Sequence, residues 1–190
     1  IDMNWMWSYP ETVAATLATF RTMLTLMEEY PDFHFSQSQA AVYEIVEKYD
    51  SEMMEAIKAR IREGRWECTA SAWVEADHNM PSTESMLRHI AYTRKYLSEK
   101  WGVKNFEIDF SPDTFGHNVS LAEVDVFSGV RYFYHCRSLE EDEILYRYRA
   151  PSGRELLTYR EPFWYNAAVT PRMGIAVSLI SRRCAGLKTG

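Results

Sequence analysis

The 190-residue chain is 46% hydrophobic and 25% charged, which supplies a packed core and excludes disorder. No apolar run is long enough to cross a bilayer, and a net charge of -6 without a basic stripe leaves no footprint for nucleic acid. Cys68, Cys136 and Cys184 are odd in number and far apart; this fits a reducing compartment, the cytoplasm, and supports neither a disulfide framework nor a thiolate metal site.

The chain opens at Ile1 without initiator Met, signal peptide or charged leader and is expected to be a fragment whose start has been removed. Residues Ile1 to Trp7 read as the end of a strand running into a loop, because Ser8, Tyr9, Pro10 and Glu11 then supply a capping box with Pro in the first turn. Val13, Leu17, Phe20, Leu24 and Met27 recur at helical spacing and make one core-facing stripe that ends before Pro31. Phe33 to Gln37 is the next strand candidate, with His34 as a structural residue rather than a ligand. Helices are expected over Gln39 to Tyr49 and Ser51 to Glu63, the second stopped by Gly64. Arg65 to Ala72 reads as a strand that delivers Trp73 to Pro81 into a polar loop. Ser82 or Thr83 caps a helix carrying Met86, Ile90, Thr93 and Leu97, which Gly102 closes.

Asn105 to Phe110 alternates apolar with polar or acidic residues like a short strand and hands over to Ser111-Pro112-Asp113-Thr114-Phe115-Gly116-His117-Asn118. Pro112 blocks further ladder pairing and Gly116 is expected to adopt a backbone conformation other residues resist, so Asp113 is presented at a strand's carboxyl end. A helix over Leu121 to Phe127, a strand over Arg131 to Cys136, and a hairpin from Ile144 to Arg149 and Glu155 to Arg160 about Pro151-Ser152-Gly153 follow. Phe163 to Asn166 forms an aromatic cluster, and residues 171–190 read as an unassigned tail.

Strand, loop and helix recur from Ile1 to Cys136. This predicts an α/β fold, a partial parallel barrel-like sheet flanked by helices, with Asp2, Glu75, Asp77 and Asp113 on one edge of a single sheet. Taken alone, Asp113 is also what a plain Pro-Asp turn would contain. Carboxylates beside Trp and Phe rings suit glycoside hydrolysis, where one carboxylate attacks the anomeric carbon and rings stack on the sugar. Asp oxygens with His nitrogen would equally suit zinc. His78 and His117 lie beside these motifs and read as orienting or structural groups rather than ligands.

At these residues the chain resembles the α-mannosidases of glycoside hydrolase family 38, and more closely their Pro-Asp-Thr-Phe-Gly branch, from Ile1 to about Asn166. Ile1-Asp2 fits the second and third positions of a His-x-Asp motif. Trp73-Val74-Glu75, Asp77, Asn79, Pro81, Glu84-Ser85 and Arg88 match a second signature. The resemblance implies that residues 1–170 are part of the catalytic α/β domain, truncated at both ends, of a retaining enzyme acting on terminal α-mannosides through a covalent mannosyl-enzyme. It implies Asp113 as nucleophile and metal ligand, Asp2 as metal ligand, and Trp5, Trp73 and Phe115 as sugar-contacting rings. The implied cofactor is a divalent metal, zinc first and cobalt second. Two family His ligands lie outside the chain, so the isolated fragment is expected to be inactive, and oligomeric state stays open. A metal-dependent carbohydrate deacetylase and a catalytically silent carbohydrate-binding fragment are the alternatives.

Overall fold

In the first helix, α1 (Tyr9–Glu29), the Glu11 carboxylate accepts from the Ser8 backbone N–H at 2.6 Å and from its hydroxyl at 2.8 Å. That satisfies a donor the helix start would leave orphaned, and Pro10 costs no hydrogen bond in the first turn. The buried face differs from the expected stripe. Thr12, Thr16, Phe20 and Met27 are its buried residues, while Val13, Leu17 and Leu24 flank it half-buried. A count of apolar side chains overlooks short threonines, and the Thr12 hydroxyl is satisfied locally by the Ser8 carbonyl at 3.3 Å.

The computed structural model describes residues 1–3, 5–69, 72–137, 143–162 and 165. After α1 come β1 (Phe35–Gln37), α2 (Ala40–Tyr49), α3 (Ser51–Arg62), β2 (Trp66–Cys68) and α4 (Thr83–Tyr96). A π-helical turn, Leu97–Trp101, ends α4 at left-handed Gly102. Then follow β3 (Ile108–Ser111), α5 (Leu121–Phe127), β4 (Tyr132–His135), β5 (Leu145–Arg149) and β6 (Glu155–Arg160). Ser82 caps α4 by accepting the Ser85 N–H at 3.2 Å. Asp50 does the same for α3 by accepting from Met53 at 2.9 Å.

The fold is α/β, with parallel pairs β1–β2, β3–β4 and β4–β6, and β5 added antiparallel to β6 through the expected hairpin. One expectation is corrected: among the described residues the strands form two sheets, β1-β2 and β3-β4-β6-β5, instead of one. The opening segment also has no strand among its described residues, and β2 covers only the middle of Arg65 to Ala72. Two short parallel strands expose few ladder bonds, so alternation in sequence overstates their length. Of the aromatic cluster at 163–166 only Tyr165 is described; residues 171–190 lie outside the described residues.

Each sheet has its own core. Phe20, Tyr43, Trp66 and Trp101 centre one, in which Phe20 meets Trp66 edge-on at 5.0 Å and Tyr43 meets Trp101 at 5.0 Å. Met86, Ile90, Leu121, Val124, Phe133 and Leu156 make the other beneath α4 and α5. Both cores anchor strands whose carboxyl ends carry the chemistry described next.

Candidate active site

Beyond β1 and β3 the chain leaves a cleft of about 570 Å³, lined by Asp2, Glu75, Asp77, Asp113 and Phe115 among others. Four carboxylates from three separate segments therefore meet in one place, although β2 and β3, which precede Glu75–Asp77 and Asp113, belong to different sheets. Gln39 is the hub of this convergence. Its side-chain N–H donates to the Ile1 carbonyl at 2.9 Å, and its Oε1 accepts the Glu75 N–H at 3.3 Å. The residue is buried and holds φ at 67°, in the left-handed region. A non-glycine residue kept there costs about 1–3 kcal/mol, which its surroundings must offset.

Asp113 is fixed from two sides. Its backbone N–H donates to Glu75 Oε1 at 2.6 Å, and the same oxygen accepts the Thr114 hydroxyl at 3.1 Å. Its carboxylate pairs with the Arg137 guanidinium, which in turn lies 4.5 Å over the Phe115 ring and 5.8 Å from the Tyr165 ring. Burial pushes the Glu75 carboxyl above its usual range, opposed by the hydrogen bonds from Asp113 and Thr114. Asp2 is exposed in the same cleft. The partial desolvation it has, and then the nearby Asp113 charge, raise its pKa.

Asp77 folds back to accept the Asn79 N–H at 2.7 Å, and His78 N–H donates to the Gly116 carbonyl at 3.1 Å, so the 77–79 loop sits directly on the Asp113 loop. Gly116 serves this contact rather than an unusual backbone angle. It is not among the glycines with positive φ, and an added Cβ would overlap the Asn79 side chain. His117 packs edge-on against both Phe133 and His135, which stack on each other, and its Nδ1 lies 3.2 Å from His78 Nδ1. Both histidines thus read as structural.

The ring residues divide. Phe115 lines the cleft and is 69% exposed. Trp5 is 62% exposed and packs edge-on against Trp7 at 5.6 Å, outside the cleft's lining. Trp73 does not line the cleft either: its ring packs at 5.1 Å on Tyr96 and borders a separate surface groove with Tyr92. The signature around Trp73 marks the segment, while Glu75, two residues on, is what the segment delivers to the cleft.

Zinc takes His nitrogen and carboxylate oxygen donors, and harder divalent cations take oxygen donors, in either case grouped closely. Asp2 and Asp113, two carboxylates near enough for one to shift the other, fit part of such a shell. Among the described residues no set of three or more His, Cys, Asp or Glu side chains is arranged to hold a metal. Gln39 and Arg137, which tie the site together, carry no recognisable sequence motif. The left-handed φ of Gln39 and the distance of Arg137 from Asp113 along the chain kept both from view.

A polar, carboxylate-lined cleft at the carboxyl ends of parallel strands is the arrangement of an α/β domain that places chemistry at its strand ends. Residues 1–181 match the profile of the glycosyl hydrolases family 38 N-terminal domain, and the chain belongs to that family. It is 36% identical to alpha-mannosidase G of Dictyostelium discoideum over 133 residues, covering 70% of this chain and 12% of that protein. It is 32% identical to human alpha-mannosidase 2C1 over 133 residues, covering 70% of this chain and 13% of that one. The chain therefore spans only about an eighth of these relatives. An alpha-mannosidase from Enterococcus faecalis V583 shares its fold with a TM-score of 0.79 at 18% identity, covering 95% of this chain and 21% of that one. A 4-alpha-glucanotransferase from Thermococcus litoralis superposes with a TM-score of 0.74 at 15% identity, over 90% of this chain and 29% of that one.

Proposed function

We propose that this chain is part of the catalytic α/β domain, spanning residues 1–170, of a retaining α-mannosidase that hydrolyses terminal α-mannosides. Family membership and the α-mannosidase relatives support the substrate class. The observation that carries the mechanism is the fixing of Asp113: Glu75 holds its backbone and Arg137 its carboxylate, in the cleft that Asp2 also lines.

In this reading an Asp113 oxygen forms a bond to the anomeric carbon as the bond to the leaving oxygen breaks, a general acid giving that oxygen its proton and taking one back from water in the second step. Arg137 aims the carboxylate through their ion pair. Water then attacks the anomeric carbon from the face the leaving group vacated, frees mannose and restores Asp113, so two inversions give retention. Asp2 and Asp113 would hold a divalent cation, zinc first and cobalt as the alternative, which would stabilise charge developing on the sugar oxygens. Phe115 offers an apolar face to the sugar, and Trp5 is exposed beside the Asp2 segment to serve as a stacking ring. A cytoplasmic location accords with three cysteines, Cys68, Cys136 and Cys184, odd in number and widely spaced in the sequence.

The test is Asp113→Asn in the full-length protein. Loss of α-mannoside hydrolysis with folding intact supports the reading. Release of acetate from an acetylated sugar, with no mannose from a mannoside, would replace it with the deacetylase.

A further inference from the structure

Behind the cleft, α4 turns His89 toward the segment that delivers Glu75. His89 Nε2 accepts the backbone N–H of Trp73 at 2.8 Å and of Val74 at 3.1 Å. A ring nitrogen that receives two N–H donors must carry its lone pair, so this imidazole is neutral with its proton on Nδ1. The surroundings favour that state: burial and the neighbouring His78 lower the pKa of His89, against an opposing pull from Asp109.

The carbonyls of the same segment are held from the other side. Ala40 N–H donates to the Ala72 carbonyl at 3.1 Å and Ala41 N–H to the Trp73 carbonyl at 2.9 Å, both at the start of α2. The segment from 72 to 78 has no helix or strand of its own, so these four bonds strap it between α2 and α4. Glu75 follows Val74 directly, and its Oε1 receives the Asp113 N–H.

We propose that His89 is a positioning residue for the Glu75–Asp113 pair. Its lone pair ties the Trp73–Val74 backbone to α4 and thereby sets where the Glu75 carboxylate meets Asp113. The catalytic part of this inference rests on the reading of Asp113 as the reacting carboxylate; the strapping of the segment does not. Removing the acceptor leaves two partly buried N–H groups unsatisfied, and a small displacement of a reacting group is costly in rate.

The experiment compares wild type, His89→Leu and His89→Gln in the full-length protein, since a glutamine oxygen can accept both N–H groups. Amide hydrogen exchange of the peptide spanning residues 72–77 is measured beside kcat and KM for an aryl α-mannoside. His89→Leu should speed exchange there about tenfold or more and lower kcat by about ten- to a hundredfold with KM little changed. His89→Gln should restore both. Unchanged exchange in His89→Leu, or a glutamine variant as impaired as the leucine one, overturns the proposal. If the leucine variant does not fold, rapid wild-type exchange at Trp73 and Val74 overturns it and protection retained by His89→Gln supports it. A wild type that protects these amides but releases no mannose would overturn the function proposed above and leave the strap standing.

Discussion

Glu75 Oε1 accepts the backbone N–H of Asp113 at 2.6 Å, so the residue that shapes the cleft reaches its neighbour through the main chain. The half-buried Glu75 carboxyl has a raised pKa, with desolvation as the largest cause. The folded state therefore holds this proton more tightly than the unfolded chain does. Stability falls as pH rises from the usual glutamate range through the raised folded value. Glu75→Gln should remove that fall while keeping an oxygen for the Asp113 N–H. Glu75→Ala should cost about 1–3 kcal/mol by orphaning that donor. Urea titrations at pH 4.5 and 7.5 separate the two; equal losses in both variants would mean the carboxylate itself stabilises the fold.

Asp125 on α5 is fully buried beside Asp109. Burial, then the nearby Asp109 charge, push its pKa well above the usual range. The same sign applies: the group is tolerated when protonated, and stability falls as pH rises above the ordinary aspartate value. Asp125→Leu, placed among Leu121, Val124 and Leu156 of the second core, should raise stability at pH 7 by about 1–3 kcal/mol. The gain should shrink toward pH 4. A lower urea midpoint at pH 7 would show that the Arg94 charge, which opposes the shift, depends on Asp125.

His117 behaves in the opposite sense. Burial first, then the charges of His78 and His135, lower its pKa from 6.5 to about 4. Between those values the unfolded chain binds a proton that the folded chain excludes, so stability rises with pH across the window and is lost as pH falls toward 4. The contribution is on the order of 3 kcal/mol. His117→Phe, which keeps a ring against Phe133 and His135, should flatten the slope of stability between pH 5 and 7. An unaltered slope would assign the acid sensitivity to other groups.

Gln39 joins the Ile1 carbonyl to the Glu75 N–H while its own backbone sits at φ 67°. Gln39→Ala retains the backbone strain and removes both side-chain bonds, so a stability loss of about 1–3 kcal/mol is expected. Turnover in the full-length protein should fall by more than the folded fraction does, because Asp2 and Glu75 lose their common tether. Activity lost only in proportion to folded protein would reduce Gln39 to a core residue.

The elements were legible where local chemistry determines them. Ser8 with Glu11, Ser82, Gly64 and Gly102 mark helix ends through caps and left-handed stops, and all act in the structure as their types demand. The Pro151-Ser152-Gly153 turn likewise closes the β5–β6 hairpin, with Gly153 at positive φ. The carboxylate convergence was legible from the repetition of strand, loop and helix. The division into two sheets was not, because pairing partners depend on tertiary contacts that period alone does not encode. Gly116 was legible as necessary but for a different reason, since the packing of Asn79 against it joins residues far apart in sequence. Arg137 and His89 act through long-range contacts to Asp113 and to the Trp73 backbone, which leave no periodic trace.

The most direct test of the account is intact-mass and peptide mass spectrometry of the full-length protein after exposure to a fluorinated mannosyl inactivator. A single sugar adduct on the peptide containing Asp113, absent in Asp113→Asn, is the predicted result. An adduct on any other peptide, or turnover of the inactivator with Asp113 never modified, would contradict the assignment of Asp113 as the nucleophile.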